Sequence, residues 1–324
     1  SYAVGRVRPM DRDALLTAAQ QRVVSELMAR DQPRPSFPSS LGDDLRANLE
    51  AALAPLAGAL ADPVWVSKTA LAQVHACESN YLAEQDWQGW NSATAQGEVT
   101  HRAIQLSVTL DGDTTPLELV DHALTDLAGD DARSLSSFLR QLSPPARGEL
   151  RARASNAVAT FLECWPPLPA SWWPRTELPV RTDLCDGRIV LSGKIDLSLG
   201  HAVGAEARCL FVDLKTGGHY PAHLDDLRFY ALIQAVRIGV PPFRVASYYL
   251  DSASFAAEDV TAETLGIAVR RTVDGVRKMI EVRTGDRSPT ITPCPRCRYC
   301  RIRAECEGAR DWEARSQSAD SDPD

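Results

Sequence analysis

Two short stretches carry residues that could do chemistry together: Gly193-Lys194-Ile195-Asp196 and Phe211-Val212-Asp213-Leu214-Lys215-Thr216-Gly217. Both read as β-strands. Alternate side chains on a strand share a face, so Asp213 and Lys215 project together while Leu214 points the other way. Asp196 lies late in the preceding strand, where a hairpin can lay it beside Asp213. Two carboxylates at one place repel each other, and each ionises more easily with a divalent cation between them. A lysine beside that cation can orient or deprotonate a water. These are the parts of metal-assisted phosphodiester hydrolysis. A bare Asp-x-Lys is common and alone fits a solvated surface hairpin. The apolar run Leu210-Phe211-Val212 leading into it favours a buried strand.

Other polar residues sit where they could join such a site. The stretch Gly97-Glu98-Val99-Thr100-His101 opens a helix on which His101 shares a face with Ile104 and Val108. That position fits a core histidine, and a neutral imidazole is also a good metal ligand. A later helix, Pro221 to Ile238, carries Asp226 and Tyr230 four residues apart and hence on one face. Both could approach DNA or the metal site, or simply cap the sheet.

The chain has eight cysteines, and in a chain of cytosolic character these do not make a disulfide framework. Four crowd into Cys294-x2-Cys297-x2-Cys300-x5-Cys306. Zinc ribbons space their two knuckles farther apart, and a run with two-residue gaps suits an iron–sulfur cube better, with Zn2+ as the competitor. A fourth ligand could be Cys294 or a distant residue. Ser67 is an N-cap for a helix running through Leu71, Val74 and Cys77, and Cys77 there fits either a small core residue or that distant partner.

The net charge of −8 is unusual for a protein that grips DNA alone, because Lys and Arg drive phosphate binding. The charge is uneven, with ten Lys/Arg against three Asp/Glu from Arg270 to Arg303. No run approaches a membrane span and Ser1-Tyr2-Ala3-Val4 lacks the apolar core of a signal peptide, so the cytoplasm is the expected compartment.

The elements that must position these residues follow from periodicity. Helices are predicted over residues 11–30 and 42–61, separated by Pro33-Arg34-Pro35-Ser36-Phe37-Pro38, then over 116–127, 132–142 and 144–161. The link Trp165–Pro174 reads as an apolar clasp between helices and sheet, although exposed tryptophans could also stack on bases. Strands are predicted over 177–180, 188–199, 209–215 and 243–250, with the 221–238 helix before the last of them and a final helix over 262–283. The order β-β-β-α-β flanked by helices makes an α/β core with mixed pairing.

In this order and spacing the motifs resemble the RecB/AddB branch of the PD-(D/E)XK nucleases, in particular the members with an iron–sulfur staple, which include AddB-type and CRISPR-adaptation nucleases. The resemblance runs from Ser67 to Cys306, through Cys77, the Gly-x3-His at Gly97–His101, the Gly-x-Ile-Asp at Gly193–Asp196, the Asp-x-Lys-Thr-Gly at Asp213–Gly217 and the closing Cys297, Cys300 and Cys306. It implies a restriction-endonuclease-like α/β core, with a mixed sheet flanked by helices, that cuts DNA at ends or in single strands. It implies that His101, Asp196, Asp213 and the Leu214 backbone carbonyl hold Mg2+ or Mn2+ and that Lys215 activates the water. It selects Cys77, Cys297, Cys300 and Cys306 as ligands of a 4Fe-4S cluster clipping the N-terminal helix to the C-terminal segment. Where the family has Gln-x3-Tyr on the helix after the lysine, Tyr230 is kept and Asp226 replaces the glutamine. An anion there cannot donate as an amide does.

The expected organisation is an N-terminal helical region over 1–65, a nuclease domain with its cluster over 66–310 and an acidic disordered tail over 311–324. Arg296, Arg298, Arg301 and Arg303 would guide the DNA strand, and a helicase is the expected protein partner. A non-catalytic DNA-binding or assembly subunit keeping the nuclease fold is the rival expectation, motivated by the acidic charge, Asp226 and the long N-terminal helices.

Overall fold

A computed structural model describes residues 16–58, 60–85, 89–110, 114–131 and 134–319. The start of the helix expected from residue 11 and the end of the expected tail, 320–324, lie outside them.

The chain opens with α1 (Ala18–Arg22), which continues as a π-turn through Val23–Leu27. Then come α2 (Leu41–Ala57), the short strand β1 (Val64–Val66), α3 (Lys68–Ala76) and α4 (Glu78–Ala83). Ser67 caps α3 as its sequence position predicts, its Oγ accepting from the Ala70 N–H. Cys77 has extended backbone and divides α3 from α4. A helical layer follows: α5 (Ser92–Thr109), α6 (Pro116–Gly129), α7 (Ser134–Gln141) and α8 (Pro144–Cys164). Strands β2 (Arg175–Leu184), β3 (Ile189–Leu199) and β4 (Leu210–Lys215) lead to α9 (His223–Ile238). Strands β5 (Arg244–Tyr249) and β6 (Ser254–Asp259), then α10 (Ala262–Thr284) and α11 (Glu307–Ala319), complete the described chain.

The six strands form one mixed sheet in the order β1-β3-β4-β5-β6, with β2 also paired to β3. β1–β3 and β4–β5 are parallel, and the other pairs are antiparallel. β2 covers one edge of β3 along almost its whole length. The other edge of β3 is shared: β1 pairs with Ile189–Leu191 and β4 with Leu197–Leu199. Residues 192–196 lie between these two ladders, so the sheet forks there, and Gly193 and Asp196 stand in the fork. The faces of β3 also exchange at this point. Ile195 packs in the core beneath α2, α9 and α10, whereas Leu197 packs in the core beneath α5, α6 and α8. Residues two apart normally share a face, so β3 turns over at Asp196.

Each face of the sheet thus has its own core. The first gathers Leu45, Leu49 and Leu53 of α2 with Phe211, Leu232 and Val276. The region expected as a separate N-terminal piece, 1–65, therefore places α2 inside the core of the following domain. The second gathers Val99, Leu119 and Val158 with Leu210, Val212 and Tyr248. Trp165 belongs to it, fully buried between Phe161 and Tyr248 with ring centroids 5.6 and 5.0 Å away. That is the clasp expected of the Trp/Pro link, although Trp173 is exposed beside His201.

Two features depart from the periodicity. β1 and β6 were not legible as strands, because three residues, or an edge strand of mixed polarity, give no alternation to read. Residues 311–319, expected in a disordered tail, belong to α11, where Arg303 pairs with Glu313 and Arg298 lies over Trp312.

α4 is fastened to the chain beyond α10 by a fork-to-fork ion pair. The Arg287 guanidinium donates to both Glu78 oxygens at 2.6 and 2.8 Å, and the Thr290 N–H adds a third bond at 2.8 Å. These hydrogen bonds, opposed by burial, draw the Glu78 carboxyl down to about 2. The folded state keeps this charge where the unfolded chain, near its ordinary 4.5, takes up a proton. The pair's stabilisation is therefore whole above pH 4.5 and fades as the pH falls towards 2. Glu78→Gln should lower stability at pH 7 by roughly 1–3 kcal/mol and flatten its acid dependence in that window, as measured by urea unfolding across pH.

Candidate active site

The fork in the sheet brings three elements to the backbone of one residue, Leu214. Its N–H donates to Asp196 Oδ2 at 2.7 Å, and its carbonyl receives His101 Nε2 at 2.9 Å. Asp196 comes from the turning point of β3, and His101 from α5, whose apolar side is buried against the opposite core. His101 thus reaches the end of β4 from one layer while Asp213 and Lys215 project into the other.

Asp213 is 2% exposed and holds two ammonium groups. Lys68 Nζ contacts Oδ1 and Lys215 Nζ contacts Oδ2, both at 2.5 Å. Burial alone would raise this carboxyl, but the two lysines hold it well below the usual range. Asp196 moves the other way. Its burial, with the charge of Asp213 adding, raises it above an ordinary aspartate against the pull of His101 and Lys68. The two carboxylates are thus pushed apart in proton affinity by their surroundings.

The helix after the lysine contributes as its spacing predicts. Asp226 lies 3.9 Å from Lys215 Nζ and is pushed up to about 6 by burial, against the opposing pull of Lys68 and Lys215. Tyr230 is buried with Lys68 5.2 Å from its ring centroid. Its ring fills the space that a Cβ on residue 193 would need, which is why glycine begins the Gly-x-Ile-Asp run.

Two participants were invisible to sequence reasoning. Lys68 was read only as part of a helix start; its approach to Asp213, 145 residues away, arises from packing of α3 over the fork. Glu177 stands on β2 opposite Asp196, at the position missing from a ladder that runs on either side of it. Its carboxylate, with His101 and Asp196, forms a set whose donor atoms all lie within 4.8 Å of one another and could hold a metal ion. The cavity beside them is lined by Glu98, His101, Arg102, Asp126, Glu177 and Lys194 among others.

The PD-(D/E)XK nuclease superfamily profile matches residues 66–307, well over half of the chain. The chain belongs to the PD-(D/E)XK nuclease superfamily. Nucleases of this superfamily use divalent metal ions. Among solved structures, a candidate exonuclease from Eubacterium rectale is 13% identical, with 83% of this chain and 94% of that chain covered and a TM-score of 0.46. The protein SSO0001 is 12% identical over 82% and 94%, with a TM-score of 0.37. No protein of curated function matches this chain. The family assignment rests on the superfamily match.

Away from the nuclease fork, Cys77, Cys294, Cys297, Cys300 and Cys306 line one enclosed pocket with Ile291, Ile302 and Ala309. The Thr292 N–H donates to Cys77 Sγ and the Cys294 N–H to Cys297 Sγ, each at 3.4 Å. Arg296, Arg298, Arg301 and Arg303 are exposed around this pocket, with Arg298 and Arg303 engaged by α11.

Proposed function

We propose that the chain is a Mg2+- or Mn2+-dependent deoxyribonuclease that hydrolyses phosphodiester bonds in single-stranded DNA or at DNA ends. The observation that carries this reading is that Leu214 binds both His101 and Asp196 while its neighbours Asp213 and Lys215 pair with each other, so the four groups gather around the end of one strand. His101, Asp196 and Asp213 would hold the cation, with the Leu214 carbonyl beside them. Bound there, a divalent ion supplies a Lewis acid for a phosphoryl oxygen and an acidified water.

The chain's own residues do the remaining work. Lys215, held by Asp213, orients the attacking water and offsets charge developing on the phosphorane. Lys68 places a second ammonium on the same carboxylate and so holds Asp213 as an anion. Buried Tyr230 and Gly193 fix the spacing between β3 and α9. Asp226 in place of an amide leaves one fewer donor for the DNA backbone.

A helicase that delivers unwound strand is the partner this reading favours. The net charge of −8 supports it, because the chain alone would hold DNA weakly at physiological salt. The exposed arginines beside the cysteine pocket would guide the strand.

The cysteine pocket is read as a 4Fe-4S site with Cys77, Cys297, Cys300 and Cys306 as ligands. Support comes from the thiol-rich, enclosed donor set and from backbone N–H groups aimed at two sulfurs, a contact that tunes such clusters. Loop closure between Cys77 and Cys297 would add to the Glu78–Arg287 clasp beside it.

Purified protein should degrade end-labelled oligodeoxynucleotides in Mg2+ or Mn2+ and stop in chelator. Asp213→Asn and Lys215→Ala should each lower the rate at least about a hundredfold. Cutting that survives both substitutions, or no cutting with the cofactors in place, contradicts the nuclease reading. Anaerobically purified protein should be brown and contain iron, and Cys77→Ala should lose both colour and thermal stability. Colourless protein with stoichiometric zinc contradicts the cluster.

A further inference from the structure

The hydrogen bond between His101 and Leu214 has a consequence for where the cation sits. A carbonyl oxygen only accepts, so His101 Nε2 must carry the proton in that 2.9 Å bond. In the neutral ring, Nδ1 is then a lone pair. It faces Asp196 Oδ1 at 3.5 Å and Glu177 Oε1 at 3.8 Å. The other Asp196 oxygen is occupied by the Leu214 N–H, and among the described residues no hydrogen bond reaches Oδ1. Asp196 itself is only 7% exposed. Nδ1, Asp196 Oδ1 and Glu177 Oε1 therefore converge from three elements, and the donor atoms of this set lie within 4.8 Å of one another, close enough to share one cation.

Asp213, in contrast, is already served by Lys68 and Lys215. Glu177 reaches the site from a left-handed backbone, φ +53°, a conformation that is strained for a glutamate. Its second oxygen is paired with Lys194, which leaves Oε1 uncovered.

We propose that Glu177 is a further ligand of the divalent cation, reaching it beside His101 Nδ1 and Asp196 Oδ1. A ring N–H held by a backbone carbonyl is the usual support of a metal-bound histidine. This rests on the nuclease reading and assigns the cation to the Glu177 side of Asp196. Glu177 and His101 both line the cavity they share with Glu98, Arg102 and Lys194.

The test is Mn2+ binding without DNA, with free Mn2+ followed by electron paramagnetic resonance. Glu177→Gln should weaken binding about 10–100-fold. Glu177→Asp, which keeps the charge on a shorter arm, should fall between it and the wild type. Lys194→Gln, which removes the counter-ion and leaves the ligand, should leave the affinity unchanged or tighter. Unchanged binding in Glu177→Gln, or equal weakening in Glu177→Gln and Lys194→Gln, overturns the assignment and leaves the nuclease reading standing. A wild-type protein that binds no Mn2+ overturns both. Circular dichroism of each variant confirms the fold, and if Glu177→Gln does not fold, unchanged binding in Glu177→Asp decides against the proposal.

Discussion

The backbone of one residue, Leu214, between Asp213 and Lys215, joins the two halves of this molecule. The Leu214 N–H is bound by Asp196 and its carbonyl by His101, so β3, β4 and α5 are registered against each other at a single point. The constraint behind it is backbone satisfaction. Where β3 and β4 diverge, the ladder can no longer use the Leu214 groups, and a buried N–H or carbonyl left alone is costly. Side chains with chemical capacity take over the role of a strand. The same divergence that interrupts the sheet therefore assembles the site.

Charge at that point is arranged rather than merely concentrated. Asp213 and Asp196 are both buried, yet one is stabilised as an anion by two lysines and the other is made a weaker acid by its burial and by its neighbour. A buried carboxylate without such partners would be neutral at pH 7. The two lysines also define direction. Two ammonium groups reach Asp213 from α3 and from the end of β4, and acceptors gather on the α5 and β2 side, where His101 and Glu177 face Asp196. On the proposed reading the cation occupies the acceptor side and the water is oriented from the ammonium side.

Much of this was legible in the sequence because it is local. The pairing of Asp213 with Lys215 on one face, the buried run before them, Ser67 as a cap and the helix carrying Tyr230 all follow from short-range periodicity. Asp196, expected beside Asp213, reaches the end of the same strand through the Leu214 N–H. What escaped is long-range or depends on backbone departures. Lys68 meets Asp213 only through tertiary packing, and Glu177 sits in a strand register whose distortion no composition signals. β1 adds three residues to an edge far from it in sequence, and the helix through residue 319 depends on contacts with the arginines before it. The gathering of Cys77 with Cys294, Cys297, Cys300 and Cys306 around one pocket is long-range as well, and spacing alone does not show it.

Anomalous diffraction from a crystal soaked in Mn2+ tests the central claim most directly. The account predicts one manganese peak in the fork, in bonding contact with both Asp196 and His101. A fully occupied peak elsewhere, with the space beside those two side chains empty, would contradict it.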